Sequence, residues 1–140
     1  MATETLLAFD FGYKRIGVAV GQSVTKMASP LATLTARDGQ PAWDEVEHII
    51  TTWQPAALVV GLPCHLDGTE QDITTQARRF ARRLQGRYGL PVHLVDERLT
   101  SYEAERLMKE RPSCNTVDVD QISAQIILQN WLDQREKHSS

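Results

Sequence analysis

Apolar residues come first in short runs and later at helical spacing. Leu6, Leu7, Ala8 and Phe9 form a run that ends at Asp10. Gly12, Tyr13, Lys14 and Arg15 follow as a turn, and residues 16–20 are a second apolar run. Two runs this close predict a hairpin. Residues 31–35, after Pro30, predict a third strand. Asp38, Gly39 and Pro41 mark a loop. From Trp43, apolar positions recur at Val46, Ile49, Ile50 and Trp53, which is helical spacing, and Pro55 ends that helix. Residues 58–60 are continuously apolar and end in Gly61 and Pro63. A run without alternation suits a strand covered on both faces, as in a parallel sheet.

Beyond the loop at 63–68, Thr69 with Asp72 resembles a capping box. Ile73, Ala77, Phe80, Ala81, Leu84 and Tyr88 then hold one helical face, and Gly89 and Pro91 stop it. Residues 92–95 predict the next strand, ending in Asp96 and Glu97. Thr100 and Glu103 open another helix through Leu107 and Met108, and residues 112–116 form a loop. From Asp120 a last helix runs through Ile122, Ile126, Ile127, Trp131 and Leu132. The order is three strands, helix, strand, helix, strand and two helices, an α/β class. Residues 1–136 read as a single domain, and residues 137–140 as a frayed tail.

Composition narrows this picture. The 140 residues carry a formal net charge of -3, with 41% hydrophobic and 24% charged positions. No global positive field announces a polyanion partner, so any nucleic-acid contact must come from a local basic patch. Cys64 and Cys114 form no CxxC pair, which fits a reducing compartment. His48, His65, His93 and His138 have no zinc-binding spacing. There is no signal-peptide pattern and no apolar stretch near the ~20 residues that span a membrane. A cytoplasmic protein is expected.

Three acids fall at matching positions of this plan. Asp10 ends the first strand, Glu97 ends the last, and Asp120 lies in the first turn of the last helix. Sites in α/β sheets gather at the carboxyl ends of strands. Asp120 shares a helical face with Ala124, Ile127, Leu128 and Trp131, so it is expected to point towards the strand ends. Converging carboxylates repel and raise one another's pKa, and a hard divalent cation relieves this. Such an ion can activate water and orient a phosphate. Each acid alone has a plainer reading. Asp10 suits a turn, Asp120 suits a helix dipole, and residues 96–98 suit a solvated ion-pair loop. The functional reading rests on all three sharing one edge.

Other features carry less. Arg78, Arg79, Arg82, Arg83 and Arg87 crowd the long helix. They read first as a solvated back face, although Arg78 reaches substrate if the helix borders the site. GYKRIG lacks the ending of a Walker A loop. Cys64 and His65 are loop neighbours, and neighbours seldom converge as a catalytic pair. Trp43, Trp53 and Trp131 fall on apolar faces and read as core.

Four segments together resemble the YqgF/RuvX family, described as Holliday-junction resolvases and as pre-16S rRNA nucleases. They are LLAFDFGYKRIGVAV at residues 6–20, LVVGLP at 58–63 with DGTEQ at 67–71, VDERLTS at 95–101, and VDQISAQIILQNWL at 119–132. The resemblance implies an RNase H-like fold, with a five-stranded mixed sheet in the order 3-2-1-4-5 and helices on both faces. It implies an acidic triad of Asp10, Glu97 and Asp120 as catalytic residues and metal ligands, with Mg²⁺ or Mn²⁺. Lys14, Arg15, Arg98 and Thr100 match motif positions and are expected, with Arg78, to bind phosphate or support the site. Family members often carry a longer basic stretch before the last acid. Here residues 111–119 are short, with Arg111 the single basic residue and Asp118 a further acid. Asp118 competes with Asp120 as third acid, or caps the helix with Gln121.

The expected function is a metal-dependent nuclease in 5′-end maturation of pre-16S rRNA. Holliday-junction (branched DNA) resolution is the alternative substrate reading, and symmetric resolution would need a dimer. A monomer or weak homodimer is expected. A non-catalytic RNA-binding assembly factor and an actin-like nucleotide-binding domain are the readings of other classes. Actin-like ATPases close two domains on nucleotide, and this length supplies one.

Overall fold

The structure, a computed structural model, describes residues 4–37, 40–62, 72–96 and 119–138. Strand β1 (Thr5–Asp10) pairs antiparallel with β2 (Arg15–Gln22), as the two close apolar runs predict. Strand β3 (Met27–Arg37) continues the meander and ends against β4 (Gln40–Pro41). Helix α1 (Trp43–Trp53) leads to β5 (Ala57–Leu62), and α2 (Asp72–Tyr88) leads to β6 (Val92–Asp96). The last helix, α3, spans Val119–His138. The expected capping boxes at 69–72 and 100–103, the helix through Leu107 and Met108, and the 112–116 loop lie outside the described residues.

The sheet order is β4-β3-β2-β1-β5-β6, with β5 parallel to both β1 and β6. The expected order is therefore present, but the described residues form six strands, not five. The extra strand is the two-residue edge piece Gln40–Pro41, too short to leave a period in the sequence. Strand β3 is also longer than its apolar run. Pro30 lies inside it, opposite Ala19, and the register shifts between Val18 and Ala19. A bulge is one of the few places where a sheet takes proline.

Alternation along the strands sorts the core onto two faces. Leu7, Phe9, Ile16, Val18, Leu58 and Val60 face α1 and α2, where they meet Val46, Ile49, Ala77, Phe80, Ala81 and Leu84. Leu6, Ala8, Ala19, Ala57 and Val59 face α3, where they meet Ala124, Ile127, Leu128 and Leu132. All six residues of β5 are buried, as expected of a parallel strand covered on both sides. Trp43 and Trp131 pack against the two clusters, as read from the sequence. Trp53 does not, being 36% exposed. The chain leaves the helix there, with Gln54 in the left-handed region and its N–H on the Ile50 carbonyl. A last-turn side chain has no further turn to pack beneath.

Candidate active site

Asp10 is the last residue of β1, and its even position puts it on the α3 face with Leu6 and Ala8. It is half-buried and forms interactions within the fold. Its register partners are Gly17 on β2 and Gly61 on β5. Partners directly opposite share a face. Neither of the two residues directly opposite Asp10 in the sheet therefore carries a side chain.

The same row extends across five strands. Gly17 pairs with Thr33 of β3, and Gly61 pairs with Val95 of β6. The next pair along is Leu62 with Asp96, which ends β6. Glu97, Arg98 and Thr100 follow in the chain and lie outside the described residues. On β6, His93 stacks near Trp131 of α3 at 4.9 Å, and Val95 packs on the α3-side cluster. Odd positions of β6 thus take the face that Asp10 takes.

Helix α3 is held to this row by glutamines at a spacing of four. Gln121 Nε2 donates to Thr33 Oγ1 at 3.1 Å, and Gln125 Nε2 donates to the Ala28 carbonyl at 3.1 Å. Gln129 Nε2 donates to the Lys26 carbonyl at 2.8 Å, while its Oε1 accepts from the Ala28 N–H at 3.0 Å. The contacts run back along β3 as the helix advances. The first turn of α3, which holds Asp120 by its backbone, therefore opens at the Asp10 edge. Sequence reasoning missed this ladder. Its signal was Gln121, Gln125 and Gln129 at helical spacing beside the apolar stripe of Ala124, Leu128 and Leu132.

The remaining expected residues divide. Lys14 and Arg15 are exposed on the turn after Asp10. That turn is fixed, since the Ala36 N–H donates to the Lys14 carbonyl at 2.8 Å and a Cβ at Gly12 would lie 2.5 Å from the Arg15 carbonyl oxygen. Arg78 is half-buried and, with Arg82, Gln85, Val92 and Leu94, lines a shallow pocket between α2 and β6. Arg79, Arg82, Arg83 and Arg87 are exposed, as the back-face reading expects. Arg83 donates to Gln40 Oε1 at 2.6 Å, and the Arg87 guanidinium lies 4.2 Å over the Trp43 ring. Cys64, His65, Arg111 and Asp118 lie outside the described residues. Among the described residues no three His, Cys, Asp or Glu side chains form a group able to hold a metal, and no helix is long and apolar enough to cross a membrane.

A mixed sheet of this order, with helices on both faces and an acid at the carboxyl end of its first strand, is the RNase H-like fold. Solved resolvases share it. The RuvC–Holliday junction complex of T. thermophilus superposes with a TM-score of 0.62 at 16% identity, covering 94% of this chain and 96% of that one. The Fowlpox virus resolvase bound to Holliday junction DNA gives 0.59 at 10% identity, covering 94% and 98%. The chain itself belongs to the RuvX family, described as Holliday junction resolvase, which its residues 4–134 match. A relative from Yersinia pestis (strain Pestoides F), named "Putative pre-16S rRNA nuclease", is 50% identical over 138 residues, or 96% of this chain and 99% of that one. One of the same name from Aeromonas salmonicida (strain A449) is 46% identical over the same span.

Proposed function

We infer that this chain is a metal-dependent nuclease whose active edge is the row around Asp10, and that it acts in the cytoplasm on the 5′ end of pre-16S rRNA. The observation that carries this reading is the register of Asp10 between Gly17 and Gly61, with α3 opening beside them. Glycines at both opposed positions keep the sheet end low beside this carboxylate, which suits the approach of an ion and a phosphate. Asp120 belongs to the helix turn that opens there. Glu97 is the next odd position after His93 and Val95 of β6, the positions that take the Asp10 face.

These three carboxylates are the residues that would hold Mg²⁺ or Mn²⁺. Oxygen donors from carboxylates suit such hard cations. The ion would supply activation of water and stabilisation of charge on the phosphate and the leaving oxygen. The chain's own cations do the gripping. Lys14 and Arg15 stand exposed on the pinned turn after Asp10, suited to neighbouring phosphates of the strand. Arg98 and Thr100 follow Glu97 in the chain, and Arg78 stands on the α2 side of the sheet, beside Val92 and Leu94 of β6.

The name of these relatives favours pre-16S rRNA. The family description favours four-way DNA junctions as the second reading. The test is cleavage of a labelled pre-16S rRNA 5′-leader fragment and of a four-way DNA junction, side by side, in Mg²⁺ or Mn²⁺. Metal-dependent cutting of the RNA that is lost in Asp10→Asn and Glu97→Gln is the expected result. Preferred cutting of the junction would transfer the assignment to DNA. Equal cutting by the variants, or none by the folded wild type, would overturn the nuclease reading.

A further inference from the structure

We propose that Tyr13 is a stacking platform for an unpaired base of the nucleic-acid substrate at the active edge. The proposal rests on the nuclease reading and adds a requirement for single-strand character at the site.

Tyr13 lies three residues beyond Asp10 and is 37% exposed, one of five large apolar side chains exposed among the described residues. It is not a loose ring. It meets Phe11 edge-on at 6.3 Å between centroids. Phe11 is buried and lies 5.4 Å from Phe80, which stacks on Trp43 at 5.9 Å. Tyr13 is thus the outermost of four rings that reach from between α1 and α2 to the surface. Its backbone belongs to the turn pinned by the Lys14 carbonyl and by the close approach of Gly12 to Arg15. An exposed aromatic on a rigid base loses little freedom when something covers it.

The neighbours indicate what covers it. Lys14 and Arg15 follow directly and are both exposed. An aromatic beside cations is the composition that binds single strands, the ring taking a base face and the cations taking phosphates. A duplex keeps its base faces stacked on one another, so such a ring rewards an unpaired nucleotide. The two neighbouring positions also fall on opposite faces of the sheet. Asp10 lies on the α3 face, and Phe11, which seats Tyr13, lies in the core of the α1/α2 face. A strand crossing the sheet end would meet the acid on one side and the ring on the other.

The experiment measures binding without cleavage. An Asp10→Asn protein is titrated against a fluorescein-labelled single-stranded RNA, its DNA counterpart and a duplex of the same sequence. The RNA is also made as a series with one abasic site walked along it. Tyr13→Ala in that background is expected to raise the single-strand Kd by roughly 5- to 100-fold, the range that base–aromatic stacking gives on alanine substitution. Duplex affinity is expected to change much less. In the parent, one position of the abasic series should bind poorly, and Tyr13→Ala should erase that minimum. Tyr13→Phe should restore both affinity and the minimum, which loss of a merely structural ring would not explain. Unchanged single-strand affinity in Tyr13→Ala, or an abasic profile that persists in it, would overturn the platform and leave the nuclease reading standing. Failure of the Asp10→Asn parent to bind any of the nucleic acids would overturn both.

Discussion

On its α1/α2 face the sheet meets phenylalanines, and on its α3 face it meets alanines and glutamines. Phe80 alone touches Phe9, Phe11 and Trp43, at 5.7, 5.4 and 5.9 Å between ring centroids. The α3 side sets Ala8, Ala19, Ala28, Ala57 and Ala124 among Leu6, Val59, Ile127, Leu128 and Leu132. A Cβ placed on Gly21 would already lie 3.0 Å from Leu128 Cδ2. Small residues let that helix come close, and three glutamines fix its position along β3. The difference separates two tasks. The aromatic face brings together the bulkiest buried side chains, and burial of large apolar side chains is where stability comes from. The alanine face sets the height and register of α3, and through them the place of its first turn beside Asp10.

The separation is testable by breaking one side at a time, and the largest effect belongs to Asp10. Asp10→Asn keeps the shape of the side chain and removes its charge. Cleavage is expected to fall on the order of 10²–10³-fold or more, as when one group that faces developing charge is removed. The melting temperature should fall much less than in a variant of the ring cluster, because no apolar contact is lost. Phe80→Ala should do the reverse. It deletes the centre of the ring cluster and is expected to cost about 3–5 kcal/mol of stability. Its cleavage rate per folded molecule, measured well below its melting point, should fall far less than that of Asp10→Asn. A Phe80→Ala protein that melts normally but cuts nothing would break the division of labour.

Smaller effects test the alanine face. Gly21→Ala must displace Leu128 or the Met27 backbone, whose carbonyl oxygen would also lie 3.0 Å from the new Cβ. Overpacking of this kind is expected to cost about 1–3 kcal/mol. Gln129→Ala removes the acceptor of the Ala28 N–H and the donor to the Lys26 carbonyl. Leaving such part-buried groups unpaired is expected to cost about 1–2 kcal/mol in urea unfolding. If α3 positions the active edge, both variants should lose more activity than their lost stability explains. Activity that simply follows the folded fraction would show that the helix needs no such precision.

Much of this plan was legible in the sequence, because period and run length report burial directly. The continuous run in β5 announced a strand covered twice, and the stripe of Ala124, Ile127 and Leu128 announced the face that α3 packs on the sheet. What period cannot report is the identity of the neighbour. Gly17 and Gly61 were ordinary strand glycines until register set them on either side of Asp10. Gln121, Gln125 and Gln129 looked like a polar helix flank until β3 lay beneath them. Pro30 argued for a strand that starts after it, and only the bulge opposite Ala19 explains why β3 begins at Met27. Trp53 kept the helical spacing and still ended at the surface, since spacing does not say where a helix stops covering its neighbour. Asp10 was legible as an acid at a strand end, and its placement on the α3 face needed the structure.

The smallest expected effect lies on the rim of the aromatic face. Tyr88, the last residue of α2, packs against that cluster, and its phenol is pushed above the ordinary value near 10. Burial is the main cause, the negative charge of Glu47 adds to it, and Arg87 opposes both. The folded state therefore holds this proton more tightly than the unfolded chain does. The resulting stability is fully present below the unfolded pKa, and it is lost as pH rises through the folded pKa. Raising the pH from about 9 through the phenol range should lower the urea midpoint of the wild type. Tyr88→Phe cannot ionise there, so its midpoint should fall less over the same interval. Glu47→Gln removes one raising charge, so its Tyr88 should ionise at lower pH in a spectrophotometric titration of the folded protein. Parallel alkaline losses in wild type and Tyr88→Phe would assign that loss to other groups and leave the aromatic face without a titrating member.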